Sequence, residues 1–165
     1  MRKQMEVVFQ AMDEASARMI LNWRYEPPYD YYNSSNIDEE VQNYLKSGNA
    51  YYSVFDAGHQ LIGYCCFGKE GQVPGGDYQA HALDIGLGLR PDLTGKGHGR
   101  EFMAVILDFA SQIYALQAFR VTVAAFNARA IRLYENIGFR RVMEFASQYD
   151  GKAFILMMRE ASVSH

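Results

Sequence analysis

Residues 83–103, LDIGLGLRPDLTGKGHGREFM, constrain this chain more than any other stretch. An apolar run with interior glycines at 86 and 88 leads into a turn carrying Gly95, Gly97 and Gly99. That turn opens directly onto a helical pattern. Glycine inside a strand marks a bulge or the close approach of something else. Bare glycines leave backbone N–H groups uncovered, and a helix N-terminus adds partial positive charge. A strand, a glycine turn and a helix in this succession predict a phosphate site that needs few charged side chains.

The rest of the chain supplies a sheet and helices to hold that unit. Segment 4–10 reads as a strand, and Asp13 caps a helix through about Asn22 with Ala15, Met19 and Ile20 at helical spacing. Residues 23–35 form a loop, because Pro27 and Pro28 forbid a regular helix. Asn36 followed by Glu39 is a capping-box signature. It opens a helix whose face carries Ile37, Val41, Tyr44 and Leu45, closed by Lys46 and Gly48. Segments 50–56 and 60–68 read as strands joined by Ala57-Gly58-His59, with His59 a turn residue. Residues 70–77 are a glycine-rich loop, and 79–89 a further strand. A strong helix runs from about Gly97 to Tyr114, its buried face lined by Phe102, Met103, Ile106, Ala110 and Ile113. A strand at 119–124, a helix from Asn127 to about Asn136 ended by Gly138, and a hairpin of 139–148 with 152–159 around Asp150-Gly151 complete the chain. The order β-α-α-β-β-β-α-β-α-β-β predicts an α/β (α+β) fold: a mixed, mainly antiparallel twisted sheet with helices on both faces.

At 165 residues the chain is expected to form one domain, 1–165, and its 49% apolar content suffices for a core without disulfide staples. Its net charge is −3 and no basic run exceeds two residues, which argues against a nucleic-acid partner. Cys65 and Cys66 are adjacent, so a disulfide between them would be strained. They read as two buried thiols in a strand, which fits a cytoplasmic location. Glu6 and Gln10 interrupt the segment after the N-terminal Arg and Lys, and no long apolar region stands there, so no signal peptide is expected. No stretch approaches the roughly 20 apolar residues of a membrane span. No His/Cys/Asp/Glu cluster has ligand spacing, so no metal is expected.

Two common phosphate sites fit the glycine turn poorly. A P-loop needs a hydroxyl residue after Gly-Lys, but Gly97 follows Gly95-Lys96, and Arg90 stands where the first glycine belongs. The dinucleotide fingerprint needs G-x-G-x-x-G and an acid closing the next strand; here the spacing is G-x-G-x-G and the 119–124 strand ends without one.

The turn instead resembles motif A of the GNAT N-acetyltransferase superfamily, whose pyrophosphate loop has the form Gln/Arg-x-x-Gly-x-Gly/Ala. Here it is Thr94-Gly95-Lys96-Gly97-His98-Gly99, departing from the pattern at Thr94. Residues 127–139, NARAIRLYENIGF, resemble the family's later motif at Asn127, Ala130, Leu133, Tyr134, Gly138 and Phe139. The element order and the spacing between the motifs also agree.

The resemblance implies an acetyl-CoA-dependent acyltransferase that passes an acetyl group to a primary amine by direct attack on the thioester. It implies a sheet splayed at the strand before the glycine loop, where pantetheine meets Leu87, Gly88 and Leu89. Thr94, Gly95, Lys96, Gly97, His98, Gly99 and Arg100 would hold the diphosphate, with Lys96 and Arg100 compensating for Thr94. Asn127 and Ala130 would meet the pantetheine arm, and a plain N-cap is an equally adequate reading of Asn127. Tyr134 would protonate the leaving thiolate, or simply pack its helix. Asp84 shares a strand face with Gly86 and Gly88, near where some members carry a catalytic Glu; it is read as the base or as a salt-bridged structural acid. His81 and His98 are chemical alternatives. Trp23, Tyr25, Tyr29, Tyr31 and Tyr32 crowd one loop with Glu26 and Asp30, a composition suited to a cationic amine. In the family this connection covers the acceptor cleft, and the 70–77 loop would line it as well. The amine itself stays open, as does a homodimer. Rival readings are an acyl-CoA sensor without turnover and O-acyl transfer on the same fold.

Overall fold

The computed structural model describes residues 5–115 and 118–161. Among the described residues, seven strands and four α-helices follow in the expected order. The strands are β1 (Val7–Ala11), β2 (Tyr51–Asp56), β3 (Leu61–Phe67), β4 (Leu83–Leu89), β5 (Ala118–Ala124), β6 (Arg140–Ala146) and β7 (Ala153–Glu160). The helices are α1 (Glu14–Leu21), α2 (Ile37–Leu45), α3 (Gly99–Ile113) and α4 (Ala128–Asn136). The seven-stranded sheet has the order β1-β2-β3-β4-β5-β7-β6. β4 and β5 pair in parallel, while β1–β2, β2–β3, β5–β7 and β6–β7 are antiparallel. The expected mixed, mainly antiparallel sheet is therefore present. Gln4, where the first strand was expected to begin, lies outside the described residues.

The chain forms two compact units, the described parts of Met1–Cys66 with Leu87–Ile106, and of Phe67–Gly86 with Leu107–His165. In the first unit, Asp13 caps α1 by accepting from Ser16 N at 2.8 Å. That cap phases the helix so that Ala17, Ile20 and Leu21 are buried, and Ala17 and Leu21 pack with Val41 of α2. The sequence expected Ala15 and Met19 on this face; both are exposed, with Met19 at 57%. Asn36 caps α2, accepting from Glu39 N at 3.2 Å while its amide donates to Glu39 Oε2 at 2.9 Å. The β2–β3 turn is built by Asp56, whose Oδ1 accepts from Gly58 N and Gln60 N, both at 2.9 Å. His59 takes a left-handed φ of 63° there.

Successive residues of β3 face opposite ways. Tyr64 stands opposite Ser53 and Cys66 opposite Tyr51, and α2 covers this face by stacking Tyr44 on Tyr51 at 4.1 Å. Gly63 faces the other way, bare under the ring of Phe102 in α3. Cys65 and Cys66 are buried and make no disulfide. Burial pushes the Cys65 thiol well above its ordinary pKa.

In the second unit β7 is the central strand, with Phe154, Ile155, Leu156 and Met157 all buried in succession. It pairs with β5 from Ala118↔Glu160 to Ala124↔Phe154 and with β6 on its other side. Gly151, at φ 74°, and Asp150, which accepts from Lys152 N at 3.0 Å, turn the hairpin. Asn127 caps α4 through Ala130 N at 3.1 Å, and Gly138 at φ 99° ends it. Ile113, expected on the buried face of α3, is 44% exposed in the helix's final turn. Strand β4 begins at Leu83 rather than 79, because the carbonyls of Tyr78 and Ala80 accept from Arg120 instead of joining a ladder.

Candidate active site

The glycine turn lies in the first unit. Arg90 anchors the end of β4: its N–H donates to Ile62 O at 2.8 Å, and its guanidinium grips Asp92 at 2.6 and 3.2 Å. That pairing holds the exposed Asp92 carboxyl below its usual pKa. A short 3-10 turn, Pro91–Leu93, follows. The Thr94 hydroxyl donates to Pro91 O at 2.7 Å, so its proton is already engaged within the chain. Gly95 and Gly97 have φ of 71° and 85°, a region that side chains enter only with strain. A Cβ at Gly97 would meet nothing within 4 Å, so this glycine serves conformation and leaves its flank open. Helix α3 starts at Gly99, and the N–H groups of its first turn have no intrahelical partner. Lys96 and Arg100 are exposed beside the turn, and His98 is half-buried. The arrangement is an open-flanked glycine turn running into a helix N-terminus, a geometry that suits an anion.

The aromatic loop reaches the end of β4 through Tyr25. The Tyr25 hydroxyl donates to Leu89 O at 2.8 Å, and Tyr25 N donates to Asn33 Oδ1 at 2.8 Å. Burial pushes the Tyr25 phenol up to about 12. Trp23 and Tyr29 are half-buried and Glu26 is exposed. Tyr31 and Tyr32 are exposed and meet edge to face at 5.6 Å.

Sequence reasoning missed a second aromatic group. Tyr44, Tyr51 and Tyr64 gather with ring centroids 4.1, 5.8 and 6.4 Å apart. Tyr44 and Tyr64 share a hydrogen bond. Burial first, then Tyr51, raises the Tyr44 phenol, whereas Tyr64 is raised first by Tyr44 and then by burial. The Tyr64 ring covers Gly88. The bareness of Gly88, read from sequence as room for a ligand, is thus room for a tyrosine. Alternation puts Tyr64 on one face of β3, but nothing in the sequence pairs it with Gly88.

The second unit holds Asp84, Asn127, Ala130 and Tyr134. Asp84 is 3% exposed. Its Oδ1 accepts from Arg120 Nε at 2.6 Å, and its Oδ2 from Arg120 Nη2 and Gln72 Nε2, both at 2.8 Å. Arg120, 2% exposed, also donates to Ala80 O at 2.8 Å and lies 5.0 Å from the Tyr78 ring centroid. Asp84 raises the pKa of the guanidinium it faces. A carboxylate engaged on both oxygens beneath the surface suits the structural reading of Asp84 better than the base. The expected loop at 70–77 joins this network through Gln72, and Tyr78 beyond it bonds Thr122 Oγ1 at 2.8 Å. Tyr134 is 8% exposed and packs on Phe139 at 5.7 Å between centroids. Asn127 Oδ1 is occupied as the α4 cap. His81 is exposed. Among the described residues, no three His, Cys, Asp or Glu side chains gather as metal ligands, and no helix is long and apolar enough to cross a membrane.

Residues 17–139 match the Acetyltransferase (GNAT) family. The chain belongs to the GNAT acetyltransferase family. It is similar to the N-alpha-acetyltransferase RimI of Mycobacterium tuberculosis, with 31% identity over 100 residues, 59% of this chain and 57% of RimI. It also matches an uncharacterized protein of Mycobacterium leprae at 32% identity over 76% of this chain, but spans only 32% of that protein's length. Two solved structures share the fold. One is a spermidine N-acetyltransferase SpeG chimera from Vibrio cholerae and hSSAT, at TM-score 0.72 and 23% identity over 94% of this chain and 96% of that one. The other is AAC(6')-Ib in complex with ribostamycin and coenzyme A, at TM-score 0.74 and 18% identity over 94% and 93%.

Proposed function

We propose that this GNAT acetyltransferase transfers an acetyl group from acetyl-CoA to a primary amine, which attacks the thioester directly. The observation that carries the reading is the pair of left-handed glycines, Gly95 and Gly97, running straight into the N-terminus of α3. Their N–H groups and the helix dipole suit a diphosphate, and Lys96 and Arg100 add charge. Acetyl-CoA, when bound, supplies an activated acyl carbon and a thiolate leaving group.

The chain's own residues have distinct tasks. Backbone groups of Leu87, Gly88 and Leu89 receive the pantetheine arm. Tyr134 gives its phenolic proton to the departing sulfur. Asn127 and Ala130 fix the start of the helix that presents Tyr134. Asp84 holds Arg120 rather than accepting the amine's proton, which leaves through water. Trp23, Tyr25, Glu26, Tyr29 and Tyr31 receive the acceptor, where ring faces and a carboxylate favour a cationic amine. RimI is named for α-amines and SpeG for spermidine, and both are amines of that kind. The buried thiols fit the reducing cytoplasm.

The engaged Thr94 hydroxyl favours a second reading, a sensor that binds the coenzyme without turnover. Calorimetry with CoA, followed by acetyl-CoA turnover against amine and hydroxyl acceptors, separates the two. Binding with amine turnover is expected. Binding without turnover gives the sensor, and no binding overturns both.

A further inference from the structure

We infer that Arg120 is a positioning residue, which with Asp84 fixes the last rung between β4 and β5 and so holds in place the β4 backbone that receives pantetheine. The inference rests on the acetyl-CoA reading above. Among the described residues, the parallel β4–β5 register covers two positions, Leu83↔Phe119 and Asp84↔Arg120. Both strands continue past the second. The ion pair therefore sits on the last rung.

Directly opposed residues share a sheet face. Beyond the pin that face carries Gly86 and Gly88 on β4, the latter under the Tyr64 ring, and Thr122 and Ala124 on β5. Around the pin it is crowded. Gly68 N donates to Asp84 O at 2.8 Å, and Gln72 holds Asp84 Oδ2. A Cβ on Gly71 would stand 3.1 Å from the backbone of Ile85. Tyr78 lies over the guanidinium and bonds Thr122. The 68–80 segment is thus tied to both strands around one buried charge pair.

A buried ion pair is weak evidence for stability, since apolar side chains of similar volume often serve as well. Its attested use is to fix register. Among the described residues the register of the two parallel strands rests on two positions, and the ion pair holds the second of them. The bidentate Arg120–Asp84 fork is rigid in a way that Lys or an apolar pair is not.

The test compares wild type with the paired replacement Asp84→Leu/Arg120→Met, and with Arg120→Lys in case the pair fails to fold. Each is titrated by calorimetry with CoA and with adenosine 3',5'-bisphosphate, which lacks pantetheine, and each is melted to confirm folding. We expect CoA affinity to fall about 10-fold or more while the bisphosphate binds within about two-fold of wild type. Loss of neither, or of both equally, in a folded variant overturns the positioning role. Failure of wild type to bind CoA overturns instead the acetyl-CoA reading beneath it.

Discussion

The ring of Tyr64 lies on the bare Cα of Gly88, so close that a methyl group there would stand 2.9 Å from its Cζ and nearer still to Cε1. Gly88→Ala must therefore displace a half-buried ring that is itself packed on Tyr44 and Tyr51. Overpacking of this kind costs about 1–3 kcal/mol. Urea denaturation should show that loss in wild type and show most of it gone in a Tyr64→Leu background. Equal losses in both backgrounds would mean that the ring is not the obstacle.

Two other glycines separate crowding from conformation. A Cβ at Gly63 would sit 2.7 Å from Gly88 O and 2.9 Å from Phe102 Cε1, and the carbonyl cannot swing aside. A Cβ at Gly97 meets nothing, but φ of 85° remains. Gly97→Ala should cost about 1–2 kcal/mol, the left-handed penalty alone. Gly63→Ala should cost more, read as a lower urea midpoint. The reverse order would contradict the packing described for β3.

These glycines also show how far the sequence could be read. Caps were legible, because Asp13, Asn36 and Asn127 act on N–H groups within three residues of themselves. The strand–turn–helix unit was legible for the same local reason. The purpose of Gly88 was not, since its partner Tyr64 lies 24 positions away on another strand. Asp84 could be read as base or structural acid, and only Arg120, 36 residues on, decides its surroundings. The face of α1 slipped at Ala15 and Met19 because so short a helix buries whichever stripe its neighbours cover, and Ile113 is exposed because it stands in the final turn of α3.

Alkaline stability should report on Tyr25. Folded, its phenol keeps the proton to about pH 12, because ionising it beneath the surface is unfavourable. Unfolded, it ionises near its ordinary value of about 10. Below pH 10 both states are protonated and this contribution is present in full. From about pH 10 to about 12 the unfolded chain loses its proton first, and stability falls. Tyr44 and Tyr64, raised likewise, steepen the decline. Tyr25→Phe removes the ionisable group and its bond to Leu89 O. Thermal melts across pH 9–12 should show a lower plateau but a shallower fall than wild type. A parallel fall in both proteins would place the alkaline sensitivity elsewhere.

Tyr134→Phe tests the proposed acid. The phenylalanine ring can keep the contact with Phe139, so α4 and its cap at Asn127 should persist. The proton donor is lost. General acid assistance is worth about 100-fold or more when the leaving group is as basic as a thiolate. The variant should therefore bind CoA as wild type does, by calorimetry, while kcat falls about 100-fold with every amine that wild type accepts. The loss should shrink with acyl-thioesters whose leaving thiol is more acidic, because such a thiolate departs without help. A uniform loss across leaving groups would assign Tyr134 to packing rather than proton transfer. A loss of CoA binding would place its hydroxyl on the coenzyme instead.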